Sequence, residues 1–217
     1  MTYKHPDAVL MIFSKAPIPG QVKTRLIPEL SAEQAAELHA ELSTKTLQRA
    51  IESKLCPVQL WCSPTTDHAF FSASAATYPI TLRQQHGADL GERMHRAFCS
   101  ALADYSHALL MGCDCPSLTG QDLEQALTAL KQDNEVVLAP AEDGGYVLIG
   151  LNHPHPELFD NMRWGTATVL EQTRNRIERY KLRHHELGEQ WDLDTPADLE
   201  RYRNQSLNFA IKTSKTV

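Results

Sequence analysis

Residues 8–26 read AVLMIFSKAPIPGQVKTRL. The first six are apolar without a break, and the run stops at Ser14. That is strand length, and a strand apolar on both faces belongs in a sheet covered by helices on both sides. The next stretch reads as neither strand nor helix, because Pro17, Pro19 and Gly20 stiffen it into a loop. Three cations, Lys15, Lys23 and Arg25, stand on that loop in a chain of net charge −6. Arginine offers phosphate oxygens a planar fork and lysine a compact charge. The stretch therefore reads as a buried strand leading into a phosphate grip, different from the GxxxxGK[ST] and GxGxxG loops. The competing reading is a solvated basic loop.

Outward from this strand, short apolar runs alternate with helical patterns. Strands are expected at 8–13, 58–62, 80–84, 108–112, 136–140, 146–151 and 182–187. Helices are expected at 31–53, 89–105, 119–132, 166–179 and 195–203. Ser31 with Gln34, and Asp89 with Glu92, have the spacing of capping boxes, and Thr195-Pro196 is a helix start. The alternation predicts an α/β, three-layer domain over 1–203, with a mostly parallel central sheet. The polar stretch 204–217 is expected to be a flexible tail.

The 217 residues suit one domain, and 42% hydrophobic with 22% charged is ordinary for a globular chain. Net acidity argues against nucleic acid as a partner. No apolar run has membrane-spanning length, so no membrane insertion is expected. The first residues lack a signal-peptide layout. Five cysteines without a CxxC pair fit reduced thiols and a cytoplasmic location. Cys113 and Cys115 alone are too few ligands for structural zinc.

Every polar motif follows the end of an expected strand, where open α/β sheets bind ligands. In GCDCPSL (112–118), Asp114 ends a buried strand, which suits a Mg2+ or Mn2+ ligand, while Thr119 is the better helix cap. In APAEDGGY (139–146), Asp143-Gly144-Gly145 is a hairpin signal. The functional reading has Gly144 and Gly145 letting a ligand approach the backbone, with Asp143 or Glu142 facing it. In WDLDTPADL (191–199), Asp192 and Asp194 are expected on opposite sides of an extended segment. One of them would supply a second carboxylate for the metal; Asp198 is structural. The stretch 84–93, with Gln85 and Gly91, either lines a nucleobase or ribose pocket or is a capped helix start. Arg163 and Trp164 could shape an acceptor pocket, although Trp164 is more ordinarily core. His184 and His185 would face opposite sides of a strand and are read as structural.

Taken together, FSKAPIPGQVKTRL, MGCDCPSL, APAEDGGYVLIGL and WDLDTPADL resemble the bacterial glycosyltransferase-A-like proteins related to 2-phospholactate guanylyltransferase and the molybdenum-cofactor nucleotidyltransferases. Some members carry glycosyltransferase labels, including ones linked to arsenosugar synthesis. The resemblance spans about residues 8–199. It implies a Rossmann-like nucleotide-diphospho-sugar transferase fold with a Mg2+ or Mn2+ site. On that resemblance Lys15, Lys23 and Arg25 meet the donor phosphates, and Asp114 holds the metal with Asp192 or Asp194. Asp143, Gly144 and Gly145 line the donor-sugar or acceptor side on the same resemblance; Gln85 and Gly91 of the 84–93 stretch are the further candidate nucleotide-binding residues, and Asp114, Asp143 and Arg25 the candidate catalytic ones. The sequence departs from the family pattern in having Pro116 where glycosyltransferases place the second Asp of Asp-x-Asp. It also has a proline-rich loop where nucleotidyltransferases have GxGxR. The expected activity is glycosyl transfer from a nucleotide sugar to a small-molecule acceptor. Nucleotidyl transfer from an NTP is the alternative, and a non-catalytic nucleotide sensor a further one.

Overall fold

The computed structural model describes residues 2–27 and 29–214, with side chains as far as Gln205. Seven strands form one sheet: β1 (Ala8–Lys15), β2 (Val58–Ser63), β3 (Ile80–Gln84), β4 (His107–Gly112), β5 (Val136–Pro140), β6 (Tyr146–Leu151) and β7 (His184–Glu186). Their order is β3-β2-β1-β4-β6-β5-β7. All run parallel except β6, which pairs antiparallel with β4 and β5. The hairpin reading of Asp143-Gly144-Gly145 is thus correct: this turn joins β5 to β6.

The apolar run of β1 divides its side chains between two cores. Ala8, Leu10 and Ile12 face one side, and Val9, Met11 and Phe13 the other. The first side is covered by α1 (Ala32–Glu52), α2 (Ala69–Thr77) and α4 (Gly120–Lys131), through Leu47, Phe71 and Leu127. The second is covered by α3 (Leu90–Ala101) and α5 (Val169–Tyr180), through Phe98 and Ile177. Phe71, Phe98 and Leu127 are fully buried, and each such side chain stabilises the fold by about 1.5–3 kcal/mol. A third cluster joins Leu26, Ala35 and Leu42 to Trp191, Leu193 and Leu199, where α6 (Pro196–Ser214) meets the start of α1. Among the described residues no helix is long and apolar enough to cross a membrane.

Several boundaries differ from the expected ones. Thr24–Leu26 forms a 3-10 turn inside the loop read as neither helix nor strand. The helix α2 is absent from the sequence reading: its buried residues are only Phe71 and Ser74, too few for a visible stripe, and its cap is the imidazole of His68, which accepts from Phe70 N. The helix expected over 89–105 ends at Ala101, because Ser106 N donates to Asp7 O and draws the chain into β4 beside β1. Asp89 accepts from Glu92 N as expected, but the Glu92 carboxylate closes on Ala88 N, one residue early. The last helix runs on to Ser214, past the expected end at 203; residues 204–214 contain no Gly or Pro to stop it. The end of the expected tail, 215–217, lies outside the described residues.

The chain steps outward from β1 to β2 and β3, then returns across β1 to β4. The reversal opens a crevice at the carboxyl ends of β1 and β4. Lys15 ends one of these strands and Gly112 the other.

Candidate active site

Five segments leave the carboxyl ends of the parallel strands β1, β3, β4, β5 and β7 and converge on this crevice. Backbone bonds fix their order: Leu193 N donates to Asp114 O, Glu142 N to Gln190 O, and Gln85 N to Cys62 O. Ser117 ties the β4 loop to Trp191 in both directions, accepting from its N–H and donating to its carbonyl. Arg49 on α1 holds the same loop from behind through the carbonyls of Cys115, Pro116 and Leu118. Asp192 and Asp194 are thereby set beside Asp114.

Two cavities meet there. The larger, about 460 Å3, is bordered by Lys15, Lys23, Arg25, Gln85, Arg93 and Asp194. The smaller, about 230 Å3, is bordered by Asp143, Gly145, Trp164 and Asp192 and otherwise mainly by apolar side chains. Phe13, Leu90, Gly112 and Asp114 border both.

Lys23 does not face phosphate. Its backbone takes a left-handed conformation, φ 48° and ψ 35°, at the start of the 3-10 turn, a region non-glycine residues enter at a cost of about 1–3 kcal/mol. Its side chain, 4% exposed, donates to Asp114 Oδ2 at 2.9 Å, Asp194 Oδ1 at 2.9 Å and Leu193 O at 2.6 Å. Burial alone would ease deprotonation of the ammonium, but Asp114 and Asp194 outweigh it and hold it charged well above the usual lysine range. For Asp114, burial raises the carboxyl and Lys23 more than reverses that, leaving it below the usual carboxylate range. The expected phosphate contact of Lys23 is therefore corrected to an internal counter-ion. Lys15, Arg25 and Arg93 remain on the wall of the larger cavity. Arg25 reaches Asp194 Oδ2 at only 3.4 Å and is 67% exposed. Lys15 and Arg93 make no ion pair among the described residues.

Asp192 and Asp194 do not point to opposite sides. Side chains two apart on an extended segment share a face, and Leu193 between them is buried in the core. Asp194 is engaged by Lys23 and Arg25. Asp192 stands half-buried and makes no ion pair among the described residues. Burial first, then the charges of Asp114, Asp143 and Asp194, push its carboxyl up to about 7. Among the described residues no three His, Cys, Asp or Glu side chains converge as a ready metal cage. Hard divalent cations do not need one, since Mg2+ is commonly held by one or two carboxylates plus substrate phosphate and water. The donor set fits such an ion, and the carboxylates with free capacity are Asp114, through Oδ1, and Asp192.

The raised carboxyl of Asp192 predicts a pH-dependent cost. An unfolded aspartate loses its proton near 3.8, whereas the folded one holds it to about 7. Between those values the native state binds more protons, so stability falls as pH rises, and above about 7 the full penalty is present. Discounted for partial exposure, the penalty is about 1–2 kcal/mol. Asp192→Asn is expected to melt about 4 °C higher than the parent at pH 8 in chelating buffer, with the gap closing towards pH 4. Calorimetry of both proteins across this range checks it, and an equal gap at every pH would refute the assignment.

The remaining sequence-expected residues divide cleanly. Asp143 borders the smaller cavity and accepts from Gly145 N at 2.8 Å. Glu142 is turned outward to Arg201 at 2.9 Å and borders neither cavity, so of the two acidic residues Asp143 is the one that faces the site. Gln85 borders the larger cavity, its amide pinned to Trp61 O. Gly91 and Gly144 border neither of these two cavities. A Cβ at Gly91 would lie 2.7 Å from Trp164 Nε1, and one at Gly144, φ +86°, would collide with Ala167 O. Both glycines admit protein rather than ligand. Gly112 serves the site unexpectedly: a Cβ there would lie 2.8 Å from Asp114 Oδ1. Asp198 caps Thr195, as read from sequence. Cys113 and Cys115 are buried, and burial pushes the Cys113 thiol up to about 11. His184 and His185 are exposed on β7.

Three residues on one stripe of α1 escaped the sequence reading. His39 Nε2 meets Lys15 O at 2.9 Å, Ser43 meets the Ser14 hydroxyl at 3.2 Å, and Thr46 donates to Cys113 O at 3.2 Å. Burial holds the His39 imidazole below its ordinary value. Their spacing of three and four, on a helix face that otherwise enters the core, was the available signal.

The cation-lined cavity lies at the switch point of a mostly parallel sheet, where such folds bind ligands, and likeness to solved structures gives the chain the nucleotide-diphospho-sugar transferase fold and the transferase class. The family described as "Uncharacterized protein conserved in bacteria (DUF2064)" matches residues 46–166, and the chain belongs to it. A protein of Desulfovibrio desulfuricans G20, provisionally described as a nucleotide-diphospho-sugar transferase, is 32% identical with a TM-score of 0.82, covering 89% of this chain and 85% of that one. The 4-diphosphocytidyl-2C-methyl-D-erythritol synthase of Anaerococcus prevotii DSM 20548 shares the fold at 10% identity and a TM-score of 0.61, covering 94% and 99%. Rv0371c of Mycobacterium tuberculosis H37Rv, in complex with manganese, does so at 13% identity and a TM-score of 0.51, covering 90% and 97%. No curated protein matches the chain.

Proposed function

We propose that the chain transfers a glycosyl group from a nucleoside-diphosphate sugar in the larger cavity to a small acceptor in the smaller one. The observation that carries this reading is Asp114, whose carboxylate borders both cavities. Lys15, Arg25 and Arg93 hold the diphosphate, and the Arg25 fork can follow charge onto the leaving group. Lys23 keeps Asp114 ionised and fixes both Asp114 and Asp194 in place. A Mg2+ or Mn2+ ion held by Asp114 and Asp192 would neutralise charge on the departing diphosphate; the manganese complex of Rv0371c supports that choice of metal. Asp143 accepts the proton of the acceptor hydroxyl. The acceptor oxygen forms its bond to the sugar carbon as the bond from that carbon to the phosphate oxygen breaks, and the electron pair leaves with the nucleoside diphosphate.

A second reading, nucleotidyl transfer, draws on the number of cations on the larger cavity: Lys15, Arg25 and Arg93 together would also suit a triphosphate. The two differ in product: nucleoside diphosphate in the first, pyrophosphate in the second. Purified protein is incubated with NDP-sugars and with NTPs, with Mg2+ or Mn2+, and melting is followed in parallel. A donor at about a hundred times its Kd stabilises by about 2.7 kcal/mol, a rise of roughly 5–10 °C for a chain of this size. NDP release with a metal-dependent rise is expected. Pyrophosphate release would install the second reading, and no rise with any donor would overturn both.

A further inference from the structure

The smaller cavity specifies the acceptor. Its volume of about 230 Å3 equals roughly eight water molecules, room for one ring with a short chain. Phe13, Met94, Leu110, Ile149, Trp164 and Val169 give it apolar walls. Its charged residues are Asp114, Asp143 and Asp192, and among the described residues no Lys, Arg or His borders it. The larger cavity beside it carries Lys15, Arg25 and Arg93. Two neighbouring cavities of different lining sort anionic from uncharged ligands: phosphates partition to the first, whereas an anion entering the second finds apolar walls and Asp143, which makes no ion pair among the described residues, while Asp114 is already paired with Lys23.

We infer that the acceptor is an uncharged alcohol with a predominantly apolar body, and that phosphorylated or carboxylated acceptors are excluded. This deepens the proposed glycosyl transfer and rests on it. The apolar body desolvates against the Phe13, Met94 and Ile149 wall. The hydroxyl is left at the mouth, where Asp143 accepts its proton and the donor carbon arrives from the larger cavity. Bond making and breaking balance as given above, with nucleoside diphosphate leaving.

The test uses matched probes on the intact chain: 2-phenylethanol, 2-phenylethyl phosphate and phenylacetate. Binding is read by NMR titration, with the larger cavity filled by inorganic pyrophosphate so that anions cannot report from it. The alcohol is expected to bind at least about tenfold tighter than either anion. Thr166 is exposed on the rim of this cavity, and Thr166→Arg adds a cation there without disturbing the core. That variant is expected to narrow or reverse the preference. Equal or tighter binding of the anions by the parent protein overturns the inference, as does failure of the alcohol to bind at millimolar concentration. Failure of the donor test leaves this preference standing, so the two proposals fail separately.

Discussion

Replacing Lys23 by methionine is expected to cost about 3 kcal/mol of stability at neutral pH and to lower the melting temperature by about 6–12 °C. The side chain length is kept and the charge removed. Asp114 Oδ2 and Asp194 Oδ1, both 2.9 Å from the ammonium, are then left facing one another, with only Arg25 at 3.4 Å from Asp194. Breaking a buried pair by removing one partner costs about 3–5 kcal/mol, and the lower end applies because both carboxylates are about a third exposed at 34%. The loss should shrink below pH 4, where the stranded carboxylates protonate. Adding Asp114→Asn to Lys23→Met should recover part of it, because one of the uncompensated charges is gone. Millimolar Mn2+ should raise the melting point of Lys23→Met more than that of the parent, since the ion finds a vacated, doubly negative position. Wild-type melting of Lys23→Met would show that the lysine is no counter-ion.

What was legible in the sequence is what short stretches of chain encode by themselves. The run at 8–13 is apolar on both faces, so it reads as a central strand. Ser31 with Gln34 and Thr195 with Asp198 cap helices through bonds three residues long. The carboxyl-end placement of the motifs follows from the strand–helix alternation, and it located the crevice correctly. The roles within the crevice depended on contacts that spacing cannot display. Lys15, Lys23 and Arg25 look equivalent on one loop, yet the left-handed turn at Lys23 sends it inward while the other two stay on the cavity wall. Gly91 and Gly144 resemble ligand-admitting glycines, but the close approaches are made by Trp164 and Ala167 from distant elements. His39, Ser43 and Thr46 lie on a helix whose function in the site is visible only once α1 is seen to pass behind the β1 and β4 loops. The expectation that Asp192 and Asp194 lie on opposite sides fails for a simpler reason: a period of two places them on one face, and they border the two adjoining cavities.

Asp114→Asn is expected to lower kcat by about a thousandfold, with the fold retained. The substitution keeps the shape of the side chain and its place at the end of β4. Lys23 still has Asp194 Oδ1 and Leu193 O to bond, so the stability loss stays near 1–3 kcal/mol. On the proposed reading, the reacting centre loses the charge of the residue that borders both cavities. A thousandfold corresponds to about 4 kcal/mol of transition-state stabilisation, within what a metal-holding carboxylate supplies. Dependence on added Mg2+ or Mn2+ should weaken in parallel, which separates loss of a metal ligand from loss of a mere positioning contact. Gly112→Ala probes the same carboxylate without removing it. The new methyl would lie 2.8 Å from Asp114 Oδ1 and must push the carboxylate aside, so an intermediate loss is expected, with metal dependence kept but shifted to higher metal concentration. If Asp114→Asn, folded by calorimetry, turned over like the parent and kept its metal response, the carboxylate would have no part in the chemistry. The meeting of the two cavities would then have to be explained without it.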